Sequence, residues 1–414
     1  MAPEIDYENE YISESGKRWK PSGIRSLFPL EATPGMISML AGKPNPDTFP
    51  FQSISVTLKS LVPNNSDGSP VAPDVLTIAN QDLDEALQYG PTSGINSFVS
   101  WITGLQQLSH RRGNAKEEGW RTSIGSGSQE LMYKMTEIPS DEYGIKDSDL
   151  QSILENWYTD EKTKAMKFPK VVYTCPTGSN PTGASASLPR KQKILALIRK
   201  FKLLIMEDDA YFYLHFDRPN RAPSYFELEK SDGGECGRVI RFDSLRYALG
   251  ICHRTGSNHE CHCLTQVIAY KLLNHWGYDG FIAHCDRVAA FYAHKLQVVE
   301  AAARKHLEGL ADWDRPRAGM FLWFKLRIAK LGEEENACSK ALIATTALRN
   351  GVLAVPGHVG SRGTLNLKEF MPSGRKTVYV RTSFSLIDEE TADEGFRRLA
   401  SAIKEARKEI GLDA

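Results

Sequence analysis

Lys170-Val-Val-Tyr-Thr174 runs into Cys175-Pro-Thr-Gly-Ser-Asn-Pro-Thr-Gly183, and Leu203-Leu-Ile-Met206 runs into Glu207-Asp-Asp-Ala-Tyr211. Each begins as a short apolar run and stops at polar or turn-forming residues, the pattern of a buried strand. Between them Ile194, Leu197, Ile198 and Phe201 recur at helical spacing. Ser187 and Pro189 stand where an N-cap and a first-turn proline belong. The unit reads β-α-β, so its strands are expected to be parallel with a right-handed crossover. Arg238-Val-Ile-Arg-Phe242 supplies a further strand after a polar, glycine-rich stretch. The expected fold class is α/β, a large doubly wound and mostly parallel sheet.

Beyond about residue 297 the order changes. A helix at Val298 to Leu310, a strand at Met320 to Leu326, a helix at Ala337 to Arg349 ended by Gly351, a strand at Val378 to Ser383 and a last helix from Glu389 to Lys408 predict a smaller α+β domain. The first thirty or so residues show little periodicity and read as an arm. The expected organisation is an arm over 1–32, a large domain over 33–296 and a small domain over 297–414.

The 414 residues balance 51 Lys plus Arg against 51 Asp plus Glu, with no basic block, so nucleic acid is not an expected partner. No window reaches the 18 or so apolar residues that cross a bilayer, so no membrane association is expected. Seven cysteines, an odd count, suit reduced thiols, and the acidic Met1-Ala-Pro-Glu-Ile-Asp start lacks a secretory pattern. A cytoplasmic protein is expected.

Ligands of open α/β sheets bind beyond the carboxyl ends of the strands. Four stretches qualify, each with a plainer alternative. Glu207-Asp-Asp209 could simply solvate a strand end. Thr174 to Gly183 could be a tight turn with a cis Asn180-Pro181 bond. Gly125-Ser-Gly-Ser-Gln129 before Glu130-Leu-Met-Tyr-Lys134 suits a phosphate cradle at a helix start, or a linker. Arg381, mid-strand in Val378-Tyr-Val-Arg-Thr-Ser383, needs an anion, either a ligand carboxylate or an internal acid.

Together these stretches resemble the fold-type I pyridoxal-phosphate aminotransferases, in the branch of kynurenine/2-aminoadipate and fungal aromatic amino-acid aminotransferases. Ser22-Gly-Ile-Arg25, Met39 to Pro46, Gln88 to Gly94 and Ala318-Gly-Met-Phe-Leu-Trp323 add matches in the family's order. The resemblance implies pyridoxal 5′-phosphate as cofactor, with Asp208 on the pyridinium nitrogen and Asn180 and Tyr211 on the phenolate oxygen. Ser128, Gln129 and Ser244 would hold the phosphate, joined by Tyr89 from a second subunit of a homodimer. Arg381 would grip the substrate α-carboxylate, with Gly42 and Arg25 near the rest of an amino acid or 2-oxo acid substrate. The implied reaction is amino-group transfer between an aromatic or 2-aminoadipate/kynurenine-like amino acid and a 2-oxo acid.

Two places depart from the family. Its Schiff-base lysine stands three residues past the serine matched by Ser244, and here that position is Tyr247. Lys271 sits in a helical pattern and is a poor substitute. The family text also breaks near 137–138, where roughly 30 residues and about two strands are missing, and at 245–264. An incomplete sheet is therefore expected. Cys252 to Cys263 holds three Cys and three His but no paired knuckle spacing. It reads as translated intron or out-of-frame sequence. The alternatives to amino-group transfer are a catalytically inactive aminotransferase-like protein or truncated gene model lacking the Schiff-base lysine, and a Cys/His metal-binding module.

Overall fold

The computed structural model describes residues 5–13, 17, 50–59, 69, 71–88, 91, 93–124, 138, 140–161, 163–244, 263–330, 332, 337–357 and 377–412. The chain divides into two compact units, one of residues 1–126 and 253–278, the other of residues 127–252 and 279–414.

In the first unit, β1 (Ser53–Thr57) and β2 (Val75–Ala79) form an antiparallel pair in which Ser55 faces Thr77. Helices α1 (Asn80–Leu87) and α2 (Asn96–Ser109) follow. Phe98, Trp101, Ile102 and Leu105 recur every three or four residues, so α2 buries one stripe. The long helix Cys263–Leu307 contributes its first part here. It breaks at Gly277, whose φ of 63° and ψ of −176° are not helical. Before that break, Gln266 Oε1 accepts from the Ile95 amide at 2.9 Å, and Lys271 pairs with Asp82. Lys271 is thus tied to a carboxylate on α1.

The second unit holds the β-α-β text. A short hairpin of β3 (Ser140–Asp141) and β4 (Gly144–Ile145) leads to α3 (Asp147–Glu155). β5 (Val171–Thr174), α4 (Leu188–Lys200), β6 (Leu204–Asp208), α5 (Tyr225–Ser231) and β7 (Val239–Phe242) then alternate. The strands pair in parallel in the order β5-β6-β7, three strands among the described residues. Strand β6 runs to Asp208, two residues past its apolar run, because Glu207 and Asp208 still pair with Arg241 and Phe242. Ser187 precedes α4 in extended backbone without a side-chain cap, while Pro189 opens the helix as expected. Val172, Ile194, Ile198, Ile205 and Leu228 share one core, so α4 and α5 cover one face of the sheet. Burying a Leu- or Ile-sized side chain contributes about 1.5–3 kcal/mol.

The same unit carries a four-stranded antiparallel sheet in the order β10-β11-β9-β8. Its strands are β8 (Ala311–Asp312), β9 (Phe321–Leu326), β10 (Val355–Pro356) and β11 (Tyr379–Ser383). Helix α6 (Ser339–Leu342) continues as a π turn, Ile343–Ala347, and Gly351 takes a φ of 73° just beyond. The final helix α7 (Glu389–Glu409) is capped by Asp388, whose carboxylate accepts from the Thr391 amide at 2.8 Å. Phe324, Val380, Phe396, Leu399 and Ile403 pack together with Leu296, Val299 and Leu307. The helix expected from Val298 therefore starts much earlier and ends at Leu307. Among the described residues no helix is long and apolar enough to cross a membrane.

Candidate active site

The carboxyl ends of three parallel strands lie side by side, and polar residues follow each of them. Asp208 closes β6. Side chains alternate along a strand, so Asp208 lies on one face of the sheet while Glu207 lies on the other. Register sets Tyr173 of β5 beside Met206, on the Asp208 face. The Tyr173 hydroxyl donates to Asp208 Oδ2 at 2.8 Å. Burial, and then the Asp208 carboxylate, push the Tyr173 phenol well above its ordinary value, so it stays a neutral donor.

The loop after β5 brings Asn180 to the same unit's antiparallel sheet. Gly178 sits at φ 56°, and a Cβ there would lie 2.8 Å from the carbonyl carbon of Ala318. Gly319, at φ 79°, approaches Gly178 O in the same way. Only glycine lets the two backbones come so close. The crossing sets Asn180, which is cis to Pro181, against β11. Arg381 Nη1 donates to Asn180 Oδ1 at 2.7 Å, and its guanidinium carbon lies 4.4 Å from the centre of the Phe321 ring. Tyr211 is buried with its ring edge-on to the same Phe321, centroids 6.1 Å apart. Cys175 lies among these groups. Burial, then the Asp208 and Asp209 carboxylates, push its thiol far up, so it is not a thiolate near neutral pH.

A separate charge network occupies the opposite face. Arg241 on β7 reaches Glu207 at 3.1 Å, Asp209 at 3.0 Å and Asp243 at 2.6 Å, with the Glu207 and Asp209 side chains fully inaccessible. Glu207 also accepts from the Tyr225 and Phe226 amides at 2.7 and 3.2 Å, anchoring the start of α5. Burial raises the Glu207 carboxyl, and Arg241 opposes that rise. Lys191 is buried nearby with its amine on the Pro223 carbonyl at 2.9 Å, and burial lowers its ordinary value. Ser244 follows Asp243 at the same strand end and is half-buried.

The structure thus brings Asn180, Arg381 and Tyr211 together around Phe321, ties Asp208 to Tyr173 at the end of β6, and places Ser244 at the end of the neighbouring strand. Arg25, Gly42, Tyr89, Ser128 and Gln129 lie outside the described residues, as does Tyr247. Of the Cys252 to Cys263 stretch, only Cys263 is described, buried at the start of a helix. No cluster of three or more metal-ligating side chains occurs among the described residues. Tyr173 and Arg241 hold carboxylates at these strand ends and are not singled out by the linear pattern. Register carries the signal for Tyr173: two residues short of the end of a parallel partner strand, a long side chain reaches the terminal carboxylate.

No protein-family profile matches the chain. Aminotransferase tdiD of Emericella nidulans is 37% identical over 443 residues, covering 95% of each chain. Mouse mitochondrial kynurenine/alpha-aminoadipate aminotransferase is 32% identical and covers 96% of this chain and 99% of its own. The chain belongs to the fold-type I aminotransferase family. The crystal structure of aminotransferase Aro8 from Candida albicans superposes on this aminotransferase with a TM-score of 0.77, at 20% identity and covering 95% and 97% of the two chains. Since 95% of 414 residues is about 393, about 50 of the 443 positions aligned with tdiD face gaps in this aminotransferase.

Proposed function

We propose that this aminotransferase exchanges an amino group between an aromatic or kynurenine/2-aminoadipate-like amino acid and a 2-oxo acid, using pyridoxal 5′-phosphate. The observation that carries the reading is the Arg381–Asn180 hydrogen bond of 2.7 Å. It joins the candidate carboxylate receptor to the candidate ring receptor. The donor set suits the cofactor: a strand-end carboxylate for a cationic nitrogen, and an amide and a phenol for an anionic oxygen.

Asp208 would face the ring nitrogen and hold a proton there. Because Asn180 Oδ1 is taken by Arg381, the amide nitrogen is the donor left for the ring's phenolate oxygen, beside the Tyr211 hydroxyl. Ser244, Ser128 and Gln129 would take the phosphate, with Tyr89 of a second copy in a homodimer. Phe321 lies under the Arg381 guanidinium and holds its plane, so the fork can meet an α-carboxylate bidentately. Gly42 and Arg25 would flank the remaining substrate. The bound ring supplies an electron sink for the charge released when the substrate Cα loses its proton. The cytoplasm is the working compartment in this reading, since seven cysteines, an odd count, suit reduced thiols. The cofactor domain spans 33–296, the arm 1–32 and the small domain 297–414 in this reading.

Tyr247 stands where the family carries its lysine, and this favours a second reading in which the cofactor is bound without covalent attachment and turnover is lost. One experiment addresses both. The chain is incubated with pyridoxal 5′-phosphate, scanned for visible absorbance, reduced with borohydride and mapped by peptide mass, beside assays with kynurenine, 2-aminoadipate and aromatic amino acids against 2-oxoglutarate. Transfer with a lysine-bound adduct supports the first reading. Binding with neither transfer nor adduct supports the second, and no binding overturns both.

A further inference from the structure

We propose that Tyr173 is a positioning residue for Asp208, holding its carboxylate in one plane; this rests on the cofactor reading above. The phenol reaches along its own strand to Asp208 Oδ2 at 2.8 Å. Rigid pairing sets that reach: Tyr173 faces Met206 and Thr174 faces Glu207 in the parallel register. The Asp208 side chain stands two residues, about 6.6 Å, further along β6, a span that a tyrosine side chain covers and a smaller hydroxyl does not.

The two faces of the strand end treat their carboxylates differently. Glu207 and Asp209 meet a cation, with Arg241 Nη1 at 3.1 and 3.0 Å. Asp208 meets a phenol. A guanidinium there would neutralise the carboxylate that must face a protonated ring nitrogen. The Tyr173 phenol, a neutral donor, orients the carboxylate through Oδ2 and adds no charge of its own. Both groups are largely buried, where one hydrogen bond to a charged group counts for more than it does in water.

The test uses the full chain and pyridoxamine 5′-phosphate labelled with 15N in the ring, a probe that needs no lysine. Equilibrium binding and the ring-nitrogen chemical shift are measured for the unaltered chain, Tyr173→Phe and Asp208→Asn. Tyr173→Phe is expected to weaken binding about tenfold, the equivalent of one hydrogen bond to a charged group, and to move the ring signal toward neutral pyridine. Asp208→Asn should move it further. If Asp208→Asn moves the signal and Tyr173→Phe leaves it unchanged, this inference falls and the cofactor reading stands. If the unaltered chain does not bind the probe, the cofactor reading fails and this inference with it. Should Tyr173→Phe not fold, 3-fluorotyrosine at position 173 keeps the shape while acidifying the phenol, and an unmoved ring signal then overturns the proposal.

Discussion

Arg381 and Asn180 are 201 positions apart in sequence, yet the guanidinium Nη1 lies 2.7 Å from the amide oxygen. The fork is also stacked on Phe321, so its orientation is fixed from below and from the side. Replacing Arg381 by Lys keeps the charge but loses the planar fork. Hydrogen bonds to charged groups contribute about 1.5–3 kcal/mol, so KM for the amino acid is expected to rise roughly ten- to 150-fold. Steady-state kinetics of Arg381→Lys checks this. An unchanged KM would remove Arg381 from the substrate site.

The backbone crossing at Gly178 gives a stability prediction with an internal control. Gly178→Ala places a methyl 2.8 Å from the Ala318 backbone at φ 56°, whereas Gly309→Ala has the same sign of φ, 74°, with nothing within 4 Å. A left-handed non-glycine residue costs about 1–2 kcal/mol by itself. Gly309→Ala should show that cost alone, and Gly178→Ala distinctly more, in urea unfolding. Equal losses would mean that the crossing relaxes freely.

Much of this architecture is legible in the chain because local rules and tertiary packing agree. The apolar runs at 171–174 and 203–206, the helical spacing from Ile194 to Phe201 and the polar strand ends determine a parallel unit without reference to the rest. The Arg381–Asn180 contact is reachable only through the family resemblance, since no spacing rule links residues so far apart. Arg241 was hidden for another reason. In Arg238-Val-Ile-Arg-Phe242 it reads as a surface charge on a strand, and its burial follows from the fact that Glu207 and Asp209 share its face. Likewise, the helix predicted from Val298 begins about twenty residues earlier, just past Gly277, whose non-helical backbone separates it from the helix that opens at Cys263.

Arg241 is expected to be a strong stability determinant. Its removal strands two inaccessible carboxylates, and breaking a buried ion pair costs about 3–5 kcal/mol. Arg241→Met should therefore unfold at markedly lower urea, with partial recovery in Arg241→Met combined with Glu207→Gln. The pH sign follows from Glu207, whose folded value lies above its ordinary 4.5 through burial and would climb further without the cation. The folded state then holds more protons than the unfolded one, so the variant should lose stability as pH rises above about 4.5. A variant that loses stability toward acid would contradict this assignment.

His215 predicts the opposite slope. Burial, then the Arg221 charge, lower its ordinary 6.5 to about 4, and its Nδ1 accepts from the Asp217 amide at 3.2 Å. Between those values the unfolded chain binds a proton that the folded chain refuses. Stability should accordingly rise with pH through this window and be lost on acidification, by at most about 1.4 kcal/mol per pH unit for one proton. His215→Asn supplies an oxygen close to the Nδ1 position and removes the titration. Its unfolding free energy measured from pH 4 to 6.5 should be flatter than that of the unaltered chain. Parallel curves would show that His215 is already protonated in the folded state and that its buried ring has a charge partner.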